Sequence, residues 1–274
     1  MEKNRKPGII LGSIGALMNI VGIFTIFMLW YERAQHMEAA EPGCEMLLKY
    51  IMPGLSDVGI IAGVLFAASA YGFSIRRKWA FPVMVIGSIL SLQATWFINV
   101  PFMAAGEPPV YFTLFWPNLI LYFFIMRSVG SRSWPHTLLG MFTGMGFVLC
   151  FMNGIASWSR ILTIGTELFY FVQRLNWFSS IAWGIVTAGI LIRPKDWMRV
   201  LGLGAAFTQV MVGTPLAVET TIELGRFSLF SIAPIISLIL FIVLLSPARF
   251  QRITATREEA MTADAPADAK AVPA

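Results

Sequence analysis

Residues Ala80–Met103 read AFPVMVIGSILSLQATWFINVPFM, with Arg76, Arg77 and Lys78 just ahead of them and no charge behind them until Glu107. An α-helix rises about 1.5 Å per residue, so about 20 residues of this kind cross the ~30 Å hydrocarbon core of a bilayer. Working outward, the same unit recurs near Gly8–Trp30, Leu55–Ile75, Val110–Met126, Thr137–Trp158, Leu168–Ile192, Val200–Val218 and Phe227–Ser246. The whole chain is 57% hydrophobic and 13% charged, against about 45–50% and about 25% in soluble domains. These features predict an all-α integral membrane protein of eight transmembrane helices joined by short polar connections, because irregular backbone facing lipid leaves its amides unpaired. The second span is the one with an open start: Ile51–Pro53 either begins the helix early, or Pro53 and Gly54 hold a turn.

The cations set an orientation. Lys3, Arg5 and Lys6, then Arg76, Arg77 and Lys78, then Arg127 and Arg132, then Arg193, Lys195 and Arg199, and finally Arg249, Arg252, Arg257 and Lys270 fall on one side of an eight-span layout. Arg33, Lys49, Arg160, Arg174 and Arg226 fall on the other. The positive-inside rule then places both termini in the cytoplasm and the protein in the plasma (inner) membrane. The formal charge of +5 serves this topology and anionic headgroups, so no nucleic-acid partner is implied. The first span is too long for a signal peptide and has no small-x-small cleavage site beside it, so it is read as retained.

An internal repeat is legible. At an offset of 117, Gly72/Gly189, Ile75/Ile192, Arg76/Arg193, Lys78/Lys195, Val83/Val200 and Gly87/Gly204 are identical. Gln93 matches Gln209 and Glu107 matches Glu223 at an offset of 116. Pro117 falls opposite Pro234. An even number of spans per half makes the repeat parallel, with membrane halves at 1–132 and 133–246 and a disordered cytoplasmic tail at 247–274. Transporters built from such repeats bind substrate between the halves near mid-membrane.

Polar residues inside spans are costly unless they face a partner, water or a ligand. Gln93 and Gln209 sit mid-span at equivalent positions and would line a seam between halves, with Asn99 and Thr95 extending it. The competing reading is hydrogen-bonded helix contact, worth about 0.6 kcal/mol in membranes. Asp57 falls opposite Arg174 in the repeat, so the two would either pair across the halves or serve separately, Asp57 as a proton or cation site. Arg174, with Gln173, Asn176 and Trp177, would hold an anionic headgroup or act as a snorkelling anchor. Asn118 follows Pro117 in a span that the proline should kink, and Pro234 should do the same in the last span. Gly8/Gly12 and Gly140/Gly144 are small-x-x-x-small pairs that bring helix backbones close.

Much is missing. His36 and His136 are the only histidines and fall outside any paired-haem arrangement. There is no Cys-x-x-Cys, no nucleotide fingerprint and no recognisable catalytic set. No cofactor, metal or catalytic residue is therefore expected. The expected function is a carrier or channel-like protein for a small, weakly polar or amphipathic molecule, passing between the halves by Gln93, Gln209 and Asn99. A haem-free membrane subunit of a larger complex, binding quinone or lipid near Pro117 and Asn118, is the second reading. A membrane scaffold or assembly factor is the third. The expected partners are the lipid bilayer, a small molecule or lipid, and other membrane subunits.

Overall fold

The structure is a computed structural model that describes residues 2–36, 47–163 and 167–255. Among the described residues every regular element is helical. Eight long helices follow one another: α1 (Asn4–Gln35), α2 (Leu48–Ser74), α3 (Ala80–Ala104), α4 (Phe112–Val129), α5 (Trp134–Thr163), α6 (Glu167–Ile192), α7 (Asp196–Leu224) and α8 (Leu229–Leu244). A ninth, α9 (Pro247–Thr254), is bent 96° from α8. Seven of these helices are long and apolar enough to cross a membrane, and the bent α8–α9 pair makes an eighth if counted as one span. Their outer flanks carry Ile61, Val64, Phe207, Met211 and many other exposed large apolar side chains. Such a surface suits an integral membrane protein, because hydrocarbon costs these groups nothing.

Two groups of four helices form. In the first, α1 packs on α2, α2 on α3, α3 on α4 and α4 back on α1. In the second, α5 packs on α6, α6 on α7, α7 on α8 and α8 back on α5. The groups meet where α3 lies against α5 and α6, and where the last turn of α4 and the first turn of α2 touch α5. A two-fold relation between repeats would require α7 on α2 to mirror α3 on α6. That contact is not made to a comparable extent.

Local chemistry explains several boundaries. Residue Pro53 lies in the second turn of an α2 that begins at Leu48, at the second position of the α-helical stretch Met52–Ser74, where the π-turn Leu47–Ile51 gives way to α-helix; the helix starts early. In α3 the helix loosens at Phe97 and Ile98 ahead of Pro101, which cannot donate to the carbonyl four residues back. Pro117 lies within an α4 that stays helical through it, whereas Pro234 falls in the first α-helical turn of α8, Ile232–Leu244, just after the 3-10 turn Leu229–Ser231, where it breaks nothing. The expected kink in the last span comes instead after Leu244. There the Ser246 hydroxyl accepts from Arg249 N–H and Pro247 sits at the first helical position, together starting a new helix. The tail is thus helical over Pro247–Thr254 rather than disordered from 247, because Phe250 and Thr254 find a buried face. Its remainder, like residues 37–46, lies outside the described residues.

Buried amides and close backbones hold the first group. The π-turn Met18–Gly22 in α1 presents Asn19 inward, where its Nδ2 donates to Gly15 O and Asn118 Oδ1, each at 2.9 Å. The Asn118 Nδ2 donates back to Asn19 Oδ1 at 3.3 Å. Opposite the same turn, a Cβ on Gly63 of α2 would stand 2.9 Å from the backbone nitrogen of Ile20, so only glycine fits.

The helix ends are tied together by side chains on carbonyls. Asn4 donates to Val129 O at 2.8 Å, Arg5 to Ser74 O at 3.0 Å, Arg132 to Ile192 O at 2.7 Å and Arg199 to Leu244 O at 3.2 Å. These bonds gather the start of α1, the ends of α2, α4, α6 and α8 and the start of α7 at one basic end. At the opposite end Arg33 grips both carboxylate oxygens of Glu107 at 2.7 Å.

Candidate functional site

The turn 130–133 joins α4 to α5, and the two backbones come closest at the last turn of α4, Ile125–Val129, while Tyr122 one turn earlier reaches Thr137 O through its side chain. The preceding turns of α4 stand away from α5, leaving a V whose floor is α3. Within it lies a cavity of about 320 Å³ at the junction of the two helix groups.

Helical spacing builds its walls. Ile89, Leu92 and Trp96 share one face of α3; Phe115, Leu119 and Tyr122 share one face of α4; Met141 and Met145 flank the glycines of α5. The glycines Gly140 and Gly144 thin the α5 wall, but unequally. Gly140 is filled from outside by the Leu191 side chain, whereas a Cβ on Gly144 would meet a single neighbour, Thr187 Cγ2 at 3.7 Å. Gly144 is the position where the sequence leaves space.

The lining is almost wholly apolar and carries no charge. Of its polar groups, the Tyr122 hydroxyl is spent on Thr137 O and the Thr187 hydroxyl on Trp183 O, both at 2.7 Å. The indoles of Trp96 and Trp116 make no hydrogen bond among the described residues. Trp116 is 56% exposed and Met145 is 36% exposed, which puts the mouth on the apolar flank of the molecule. The arrangement suits a hydrocarbon body with little polar character.

The residues singled out from sequence fall elsewhere. Asn99 is structural in its contacts: it donates to Thr95 O at 2.8 Å and accepts from Phe112 N–H at 3.1 Å, bridging the loosened α3 to the first turn of α4. Asn118 is occupied by Asn19. Gln93 and Gln209 are both buried with every side-chain polar atom unpartnered among the described residues. They do not meet. Gln209 lies over Gly213 beside Pro234, at the contact of α7 with α8, and α3 does not pack closely on α7. Gln93 follows Leu92 on the floor helix but does not line the cavity. Asp57 and Arg174 are both exposed and form no ion pair with one another, since α2 and α6 are not packed neighbours.

Sequence reading missed two things. One is the cavity. The other is a buried polar strip in the second group, where Asn176 Oδ1, Ser179 Oγ and Trp183 Nε1 of α6 join Gln209 of α7 and Ser237 Oγ of α8 as unpartnered atoms. The spacing of Asn176, Ser179, Ser180, Trp183 and Thr187 on one face of α6 was a legible sign of it. Among the described residues no group of three His, Cys, Asp or Glu side chains is placed to hold a metal. No family model matches this chain, and neither a curated protein nor a solved structure matches it.

Proposed function

We propose that the chain is an eight-span inner-membrane protein, with both termini cytoplasmic and two parallel four-helix repeats, that carries a small, weakly polar or amphipathic molecule between them. The observation that supports this reading is the apolar cavity of about 320 Å³ at the junction of the helix groups, with its mouth on the flank that hydrocarbon would cover. An uncharged wall favours a molecule already dissolved in the bilayer and disfavours an ion. The identical ring of neighbours in the two groups is what supports a repeat. Because the contact between groups is not reciprocal, the route in this reading runs along α3, α4 and α5, with the unpaired Gln93 amide as its next polar contact inward.

A lipid bearing a photoactivatable group at mid-chain, incorporated into membranes holding the full chain, tests this. Adducts should concentrate on Leu92, Met141 and Met145. Equal labelling of these residues and of outward-facing Val64 and Phe207 would sink the proposal.

A second reading, a membrane subunit of a larger complex, is favoured by one observation. Asp57 is exposed on α2, about two and a half turns beyond the helix start, and a carboxylate turned toward hydrocarbon calls for a covering partner. Purification in mild detergent with fixed stoichiometric companions would select it.

A further inference from the structure

The basic end of the first helix group is concave. The start of α1, the turn between α2 and α3 and the turn 130–133 surround a pocket of about 440 Å³. Arg5, Arg76, Arg77, Lys78 and Arg132 line it together with Asn4, and among the described residues no carboxylate does. A scatter of cations along a membrane face follows from topology alone. Converging Arg5, Arg77, Lys78 and Arg132 on one hollow with no carboxylate among the described lining does not, because each adds to the repulsion felt by the others.

Two of the cations are partly desolvated. Arg5 and Arg132 spend one nitrogen each on Ser74 O and Ile192 O, and the Nε of each is buried without a partner among the described residues. Arg132 also lies with its guanidinium carbon 5.9 Å from the centre of the Phe81 ring. Burial pulls its pKa below the ordinary value, yet an arginine remains charged. The backbones on the rim are committed too: Arg76 and Ser131 hold left-handed φ values of 58° and 52°, which non-glycine residues adopt at a cost.

We infer that this pocket is a binding site for a phosphate group, held by Arg5, Arg77, Lys78 and Arg132 and supplied either by an anionic phospholipid headgroup or by a free phosphate ester. Guanidinium forks match phosphate oxygens, and basic hollows between helix ends are where headgroups are bound. The site is separate from the apolar cavity and does not depend on what that cavity carries.

The test uses the full chain in a neutral detergent, with thermal stability read against added phosphatidylglycerol, phosphatidylcholine or inorganic phosphate. The site requires a rise in Tm with phosphatidylglycerol and none with phosphatidylcholine. Arg77→Gln with Lys78→Gln should weaken the response about tenfold or more. The repeat-equivalent pair Arg193→Gln with Lys195→Gln removes the same charge away from the pocket and should leave the response intact. Competition by millimolar inorganic phosphate assigns the site to a free phosphate ester, and absence of competition assigns it to the headgroup. An equal loss in both double variants, or no response to either anion in the unaltered chain, overturns the inference.

Discussion

Replacing Gly144 by phenylalanine sets stability and binding against one another. The position is on the cavity wall, and its only Cβ neighbour within 4 Å is Thr187 Cγ2 at 3.7 Å, so the new side chain enters open space. An apolar hole of about 150 Å³ accommodates benzene; a phenyl ring therefore takes roughly half of the 320 Å³ present. Filling it with an apolar ring gains about 1.5–3 kcal/mol at most, and removing a mid-helix glycine adds about 0.5 kcal/mol. The variant should melt several degrees higher in detergent while retaining far less co-purified lipid or photo-adduct at Met141 and Met145. Cavity filling alone predicts the first change, and occupancy by a ligand predicts the second. A lower melting temperature would show that the space is not a void the ring can use. Undiminished adducts in a stabilised variant would show that the ligand does not sit there.

Other perturbations follow from the same geometry. Asn118→Leu leaves Asn19 with one partner and should cost about 1–3 kcal/mol, whereas adding Asn19→Leu should recover part of it; a double-mutant cycle in detergent showing no coupling would refute the pair. Gln209→Met removes two buried unpartnered atoms and should raise stability by about 1 kcal/mol or more; a fall would mean that water or a ligand satisfies the amide in the working protein. Gly63→Val drives a side chain into the Ile20 backbone, and thermal melts should show a loss of about 3 kcal/mol or outright failure to fold.

The spans were legible because cations and apolar runs alternate: Lys78 and Trp79 end one unit and Ala80 begins the next. The start of α2 was not, since Lys49 interrupts the apolar residues of Leu48–Met52 and a proline at Pro53 is equally at home in an early helical turn or a loop. Asn118 read as a candidate site residue because its partner, Asn19, lies 99 positions away, beyond any local pattern. The cavity was hidden for a related reason. Gly140 and Gly144 have identical spacing signals, yet Leu191 fills the space beside one, whereas beside the other only Thr187 Cγ2 comes near, at 3.7 Å. Whether a glycine means contact or vacancy depends on which distant side chain arrives. The bend after Leu244, by contrast, was written locally in Ser246 and Pro247.

The V formed by α4 and α5 is also a lever. Its arms are joined at the turn 130–133 and tied again where Tyr122 donates to Thr137 O, and Phe115 stands roughly 10 Å along α4 beyond Tyr122 at 1.5 Å per residue. A swing of about 10° about that bond moves the tip by about 2 Å, roughly half the contact distance of one hydrocarbon chain on another. Any widening of the aperture therefore acts against the Tyr122–Thr137 bond and the turn that carries Arg132.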